Sequence, residues 1–130
     1  MSKLRCPCGH VIVDQTDALP YKARVIRDQD AEAFWVEATT VLADFVAAIR
    51  AGARSTWLSQ HLSPEYPQDV TDESVISDLL AGLEGRYATK AYECESCGRF
   101  LLQRAPDDPS FAAFSPDVGG ATHVLMGRHR

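Results

Sequence analysis

Two periodicities divide the chain. After the first few residues, HVIVDQTDALPYKARVIRDQD opens with a short apolar run, passes through polar residues from Asp14 to Pro20, and then alternates. Tyr21, Ala23 and Val25 fall on one face, and Lys22, Arg24 and Ile26 on the other, which predicts a hairpin or strand pair. From Asp30 the period lengthens to about 3.6 residues. Phe34, Ala38, Val41, Leu42, Phe45 and Ile49 line one stripe, with Glu32, Glu37 and Asp44 off it, so a long amphipathic helix is expected over about residues 30–51. Asp28 or Asp30 would cap it and Gly52 would end it. RSTWLSQHL predicts a short helix, and SPEYPQD, with two prolines, a loop. A second main helix follows, capped by Thr71 or Asp72, striped by Ile76, Leu79, Leu80 and Leu83, and ended by Gly82 or Gly85. Alternation returns in RYATKAYEC and GRFLLQRA, with a further short strand expected around Phe111–Phe114. The tail GGATHVLMGRHR carries no clear period.

This order predicts an α+β fold. A small antiparallel sheet is contributed by the N- and C-terminal segments, and an acidic helical pair is inserted between them. At 130 residues the chain has the length of one domain, with residues 1–29 and 86–115 forming the sheet portion, 30–85 the insertion and 116–130 a tail. No repeat, heptad pattern or low-complexity tract interrupts it.

Charge sharpens the division. Residues 1–27 carry a net +3 and residues 86–130 a net +1, whereas residues 28–85 hold eleven carboxylates against Arg50 and Arg54, a net −9. MSKLRCPCGHVIV has no apolar core of the secretory kind, and no apolar run is long enough to span a bilayer, so a soluble cytoplasmic protein without membrane contact is expected.

Four cysteines stand at the two ends, in CPCGH (residues 6–10) and CESCGR (residues 94–99), with 85 residues between the pairs. An oxidising compartment would make Cys6, Cys8, Cys94 and Cys97 two disulfides; a reducing one favours metal binding or redox chemistry. A redox CxxC opens a helix, but CESCGRFLLQ continues as a strand. In both pairs glycine follows the second cysteine, where a turn that aims two sulfurs at one ion needs positive φ. These motifs resemble the knuckles of the zinc ribbons, the CESCG knuckle in the family's own spacing and CPCG one residue shorter. The resemblance covers residues 4–13 and 86–104 and implies one structural Zn²⁺ per chain held by the four thiolates, with His10 as an alternative ligand. It implies no activity. Closing about 86 residues costs on the order of 4 kcal/mol, against roughly 10–16 kcal/mol of apparent binding free energy from a structural zinc.

No GxSxG, HExxH, phosphate-loop or Cys/His nucleophile pattern is present. Asp14 and Asp17 near the first knuckle admit an acid/base reading, which turn capping explains equally well. His61, His123 and His129 lack partners at metal spacing. Tyr21, Lys22, Arg24 and Arg27, with Arg86, Tyr87, Lys90, Tyr92, Arg99, Phe100 and Arg104, interleave bases and rings as a nucleic-acid surface would. The acidic middle suits a basic protein partner instead, with Trp35 and Trp57 as candidate anchors. The leading expectation is a non-enzymatic zinc-binding interaction module, a bacterial-type adaptor or an acidic immunity-type inhibitor of a basic protein. A nucleic-acid-associated zinc protein is the alternative.

Overall fold

In the computed structural model, which describes residues 2–128, the alternating N-terminal residues form strands that do not pair with each other. β1 (Ser2–Arg5) pairs antiparallel with β2 (Val11–Asp14), from Ser2 opposite Asp14 to Arg5 opposite Val11. β3 (Lys22–Val25) instead pairs with β4 (Thr89–Glu93) from the far end of the chain, Lys22 opposite Tyr92. β4 continues to β5 (Phe100–Gln103) and β6 (Phe111–Phe114), giving a four-stranded antiparallel sheet in the order β3-β4-β5-β6. The fold is therefore α+β with two small antiparallel sheets and three helices. The segment from Gln15 to Tyr21 that reads as a hairpin turn is a crossing between sheets, because Asp14 is drawn to side chains of the larger sheet.

Those side chains are specific. Lys22 Nζ lies 2.6 Å from Asp14 Oδ2, and the Tyr92 hydroxyl donates to the same oxygen. The Tyr21 hydroxyl donates to the Val13 carbonyl. Beneath them Ile12, Tyr92, Leu101, Cys6 and Cys94 form one buried cluster, joined by half-buried Leu4, Tyr21 and Phe111. Buried Gln103 organises the turn between β5 and β6, accepting from the Lys90 amide and donating to the carbonyls of Pro106 and Asp108.

The described chain falls into two compact units, one of residues 1–26 and 88–130 and one of residues 27–87. The second is helical: α1 (Asp28–Arg50), α2 (Arg54–His61) and α3 (Asp72–Tyr87). Its core is Phe45, Ala48, Trp57, Leu58, Val75 and Leu79. On α1 Ala48 is buried at 8% exposure, whereas Ile49 at the end of the expected stripe is 37% exposed. Neither Asp28 nor Asp30 caps α1 through its side chain; both lie in the first turn, where carboxylates oppose the positive end of the helix dipole. At the other end Ala53 N–H reaches Ala48 O and Gly52 N–H reaches Ile49 O, a Schellman closure that places Gly52 at φ +71°. Thr71 caps α3 by accepting from the Ser74 amide. Contrary to expectation α3 runs through Gly82 and Gly85, since Tyr87 and Arg86 both bond to Glu37 of α1 and hold the last turn (2.7 and 3.0 Å). Arg54 ties the proline-bearing loop to the helices, with the Asp72 carboxylate and the main-chain carbonyl oxygens of Gln68 and Val70 as its acceptors. Among the described residues no helix is long and apolar enough to cross a membrane.

Candidate metal centre

Each cysteine pair sits in the loop of a hairpin, residues 6–10 between β1 and β2 and residues 94–99 between β4 and β5. The two loops close in the same way. In the first, the Cys6 amide donates to His10 O and the Gly9 amide to Cys6 O; in the second, the Cys94 amide donates to Arg99 O and the Gly98 amide to Cys94 O. The glycine after the second cysteine has positive φ in both, +100° at Gly9 and +81° at Gly98. The one-residue difference between CPC and CESC thus lengthens the second loop without altering its closing bonds.

The hairpins bring the sulfurs together. Sγ of Cys6 lies 3.6 Å from that of Cys97, Sγ of Cys8 lies 3.7 Å from that of Cys94, and all four fall within 4.8 Å of one another. A disulfide would need about 2.05 Å, so these are four separate thiols. A tetrahedral ion with metal–sulfur bonds of about 2.3 Å spaces its sulfurs about 3.8 Å apart, which the two cross-hairpin distances match. The donor set therefore fits one metal ion. Cys6 and Cys94 are buried, Cys97 is half-buried and Cys8 is exposed, so a site there has a protected side and an open one.

Main-chain N–H groups converge on the sulfurs, from Cys8 on Cys6, from Ser96 and Cys97 on Cys94, and from Arg99 on Cys97. The thiols consequently differ in acidity. Burial pushes Cys6 up to about 12 and raises Cys94, while the Arg99 amide, opposed by burial and helped by hydrogen bonds from the other three thiols, draws Cys97 down to about 6. The Arg99 guanidinium also donates to Cys97 Sγ at 3.4 Å. A cation entering this cluster meets one readily ionised sulfur and displaces protons from the others.

His10 adds no atom to the four-sulfur group; its part in the loop is the carbonyl that accepts from Cys6. Asp14 is committed to Lys22 and Tyr92. His61 stacks on Trp57 at 4.1 Å with Nδ1 3.0 Å from the Trp57 carbonyl, while His129 lies outside the described residues. Trp57 is a core residue at 8% exposure, whereas Trp35 is 66% exposed. Of the aromatic rings expected on a nucleic-acid face, Tyr92 is 3% exposed, and Tyr21, Tyr87 and Phe100 are half-buried, Tyr21 with its hydroxyl bonded to Val13.

One side chain that orders the surroundings of the site escaped the sequence reading. Glu93, beside Cys94 and 3% exposed, accepts main-chain N–H bonds from Thr122, His123 and Val124 and the Thr122 hydroxyl at 2.6–3.1 Å. It anchors the tail next to the second cysteine loop. Gly98 completes the seat, since a Cβ there would lie 2.1 Å from Gly120 O. The only signal in the sequence was an acid among residues otherwise destined for burial, in AYEC.

Paired cysteine hairpins converging on four sulfurs, in a chain that also builds a three-helix unit, define a small α+β protein with a candidate metal centre. The chain belongs to the family described as "Domain of unknown function (DUF8617)", which matches residues 2–118. No curated protein and no solved structure matches it.

Proposed function

We propose that the protein is a non-enzymatic zinc-binding interaction module, with one structural Zn²⁺ held by Cys6, Cys8, Cys94 and Cys97. The observation that carries this reading is the convergence of four sulfurs from two hairpins to within 4.8 Å. Four thiolates suit zinc among the first-row metals and leave no open position for substrate or water, which argues for a structural ion. The metal would join the two hairpins of the β unit.

The interaction part of the proposal rests on charge. Residues 27–87 hold eleven carboxylates against four arginines, a net −7, and such a field attracts a basic partner. Exposed Trp35 supplies a large ring of the kind that anchors protein interfaces. The inward placement of Tyr21 and Tyr92 weighs against base stacking and so favours a protein partner over nucleic acid.

Elemental analysis of the purified chain tests the metal. About one zinc per chain is expected, falling to background in Cys94→Ser. One iron per chain would replace the structural reading with a redox one, and a fully folded protein without any metal would reject both. Affinity capture from the native host, with Trp35→Ala as the control that loses the partner, tests the interaction; salt-sensitive retention on DNA or RNA in its place would favour the nucleic-acid alternative.

A further inference from the structure

A cavity of about 440 Å³ lies between α1 and α3, within the range that takes a small organic ligand. Both helices face it with positions i, i+1, i+4, i+5 and i+8, starting at Val36 on α1 and at Asp78 on α3. This stagger spans about 12 Å of helix. Val41, Leu79 and Leu83 make an apolar lining, and Leu62 closes one side. Gly82 gives the groove its depth, because a Cβ placed there would meet no atom within 4 Å.

The polar groups around this lining are not equivalent. Glu37 is satisfied by Arg86 and Tyr87, so that end is internally neutral. Seven residues further along α1 stands Asp44, which shares the cavity with Asp78 and His61. Asp78 accepts a hydrogen bond from Tyr66 at 2.6 Å, and neither Asp44 nor Asp78 has a cationic partner among the described residues. His61 is oriented by the Trp57 carbonyl, 3.0 Å from Nδ1, which leaves Nε2 on the other side of the ring. An anionic ligand would meet two carboxylates here, and a neutral one would leave them unanswered. The surrounding net charge of −7 raises the local concentration of cations further.

We propose that this cavity binds a small amphipathic amine, its apolar body lying over Val41, Leu79 and Leu83 and its ammonium group against Asp44 and Asp78. The proposal is independent of the metal centre, which belongs to the other unit.

The test is an NMR titration of the full chain with three probes of one shape, n-octylamine, n-octanol and octanoate, each below its aggregation threshold. Octylamine should shift the amides of Thr40 and Gly82 saturably and bind about fivefold tighter than octanol, with octanoate weaker still. Gly82→Leu should fill the groove and abolish the shifts. Should that variant fail to fold, the double substitution Asp44→Asn and Asp78→Asn keeps the test decisive: it should bring octylamine down to the affinity of octanol. Octanoate binding as well as octylamine, undiminished octylamine binding to the double variant, or no saturable shift at all would overturn the proposal. So would saturation of the same amides by a leucine- and lysine-bearing peptide but not by octylamine, which would make the groove a docking surface for protein.

Discussion

The two units of this chain reach order by different chemistry. The helical unit closes on six side chains, Phe45, Ala48, Trp57, Leu58, Val75 and Leu79, all carbon-rich and fully tied into one cluster. The core cluster of the β unit has five, and two of them are cysteines whose sulfurs belong to the candidate metal centre. Around these it buries groups that need partners: Glu93, Gln103 and Thr89. No buried side-chain nitrogen or oxygen among the described residues lacks a hydrogen bond, so the polar content is matched throughout. The helical unit is thus stabilised by removal of apolar surface from water, and the β unit by specific bonds among sulfur, carboxylate and amide. Apolar burial tolerates small displacements; a four-sulfur cluster does not.

Chelation should expose this difference most sharply. On the zinc reading proposed above, a strong chelator should collapse the amide signals of β1, β2 and the cysteine loops while α1–α3 keep their helical signal, since a structural zinc contributes roughly 10–16 kcal/mol to a fold that holds it. Loss of both units together would show that they fold as one and break the comparison. The converse experiment is Phe45→Ala, which should cost the helical unit about 3–5 kcal/mol in urea unfolding and leave metal content unchanged.

Acid separates the units by a smaller margin. Burial alone would raise the Asp14 carboxyl, but hydrogen bonds from Lys22 and Tyr92, with the charges of Lys22 and Lys90, outweigh it and hold Asp14 below the ordinary carboxylate range. A depressed carboxylate stabilises the fold above its unfolded pKa, and that contribution is lost as pH falls through the folded value. Asp14→Asn should therefore cost the β unit about 1 kcal/mol at neutral pH and almost nothing in acid. Taking the difference between variant and wild type at each pH isolates this carboxylate from acid release of any bound metal. A constant difference across the range would show that the Asp14 contacts contribute no such linkage. Smallest of all, Gly82→Ala should raise the stability of the helical unit by about 0.5–1 kcal/mol, because it sits in a helix interior with open space around it.

Helices were legible from sequence because their stripes are local: Phe34 to Phe45 and Ile76 to Leu83 repeat within one element, and Thr71 and Gly52 mark ends by chemistry that needs no distant partner. The errors lay where distant residues decide. Gly82 and Gly85 look like a stop, and only the bonds from Arg86 and Tyr87 to Glu37, about fifty positions back, carry α3 past them. A sheet shared by the two chain ends was expected, but the strand after Pro20 was read as the partner of the one before it, and Lys22 instead finds Tyr92 across the whole helical segment. The cysteine loops were readable from their repeated Cys-Gly step, whereas the tail was not: its order comes from Glu93, which announces nothing until the amides of Thr122 to Val124 arrive.

The 85 residues between the two cysteine pairs also set a timetable for synthesis. Cys6 and Cys8 leave the ribosome early, and the whole helical segment is made before Cys94 and Cys97 exist to join them. Through that interval the first loop offers two thiols, half of a ligand set, while residues 27–87 have every group their own core requires. A nascent chain halted there would carry the whole helical segment but only two of the four sulfurs of the candidate site.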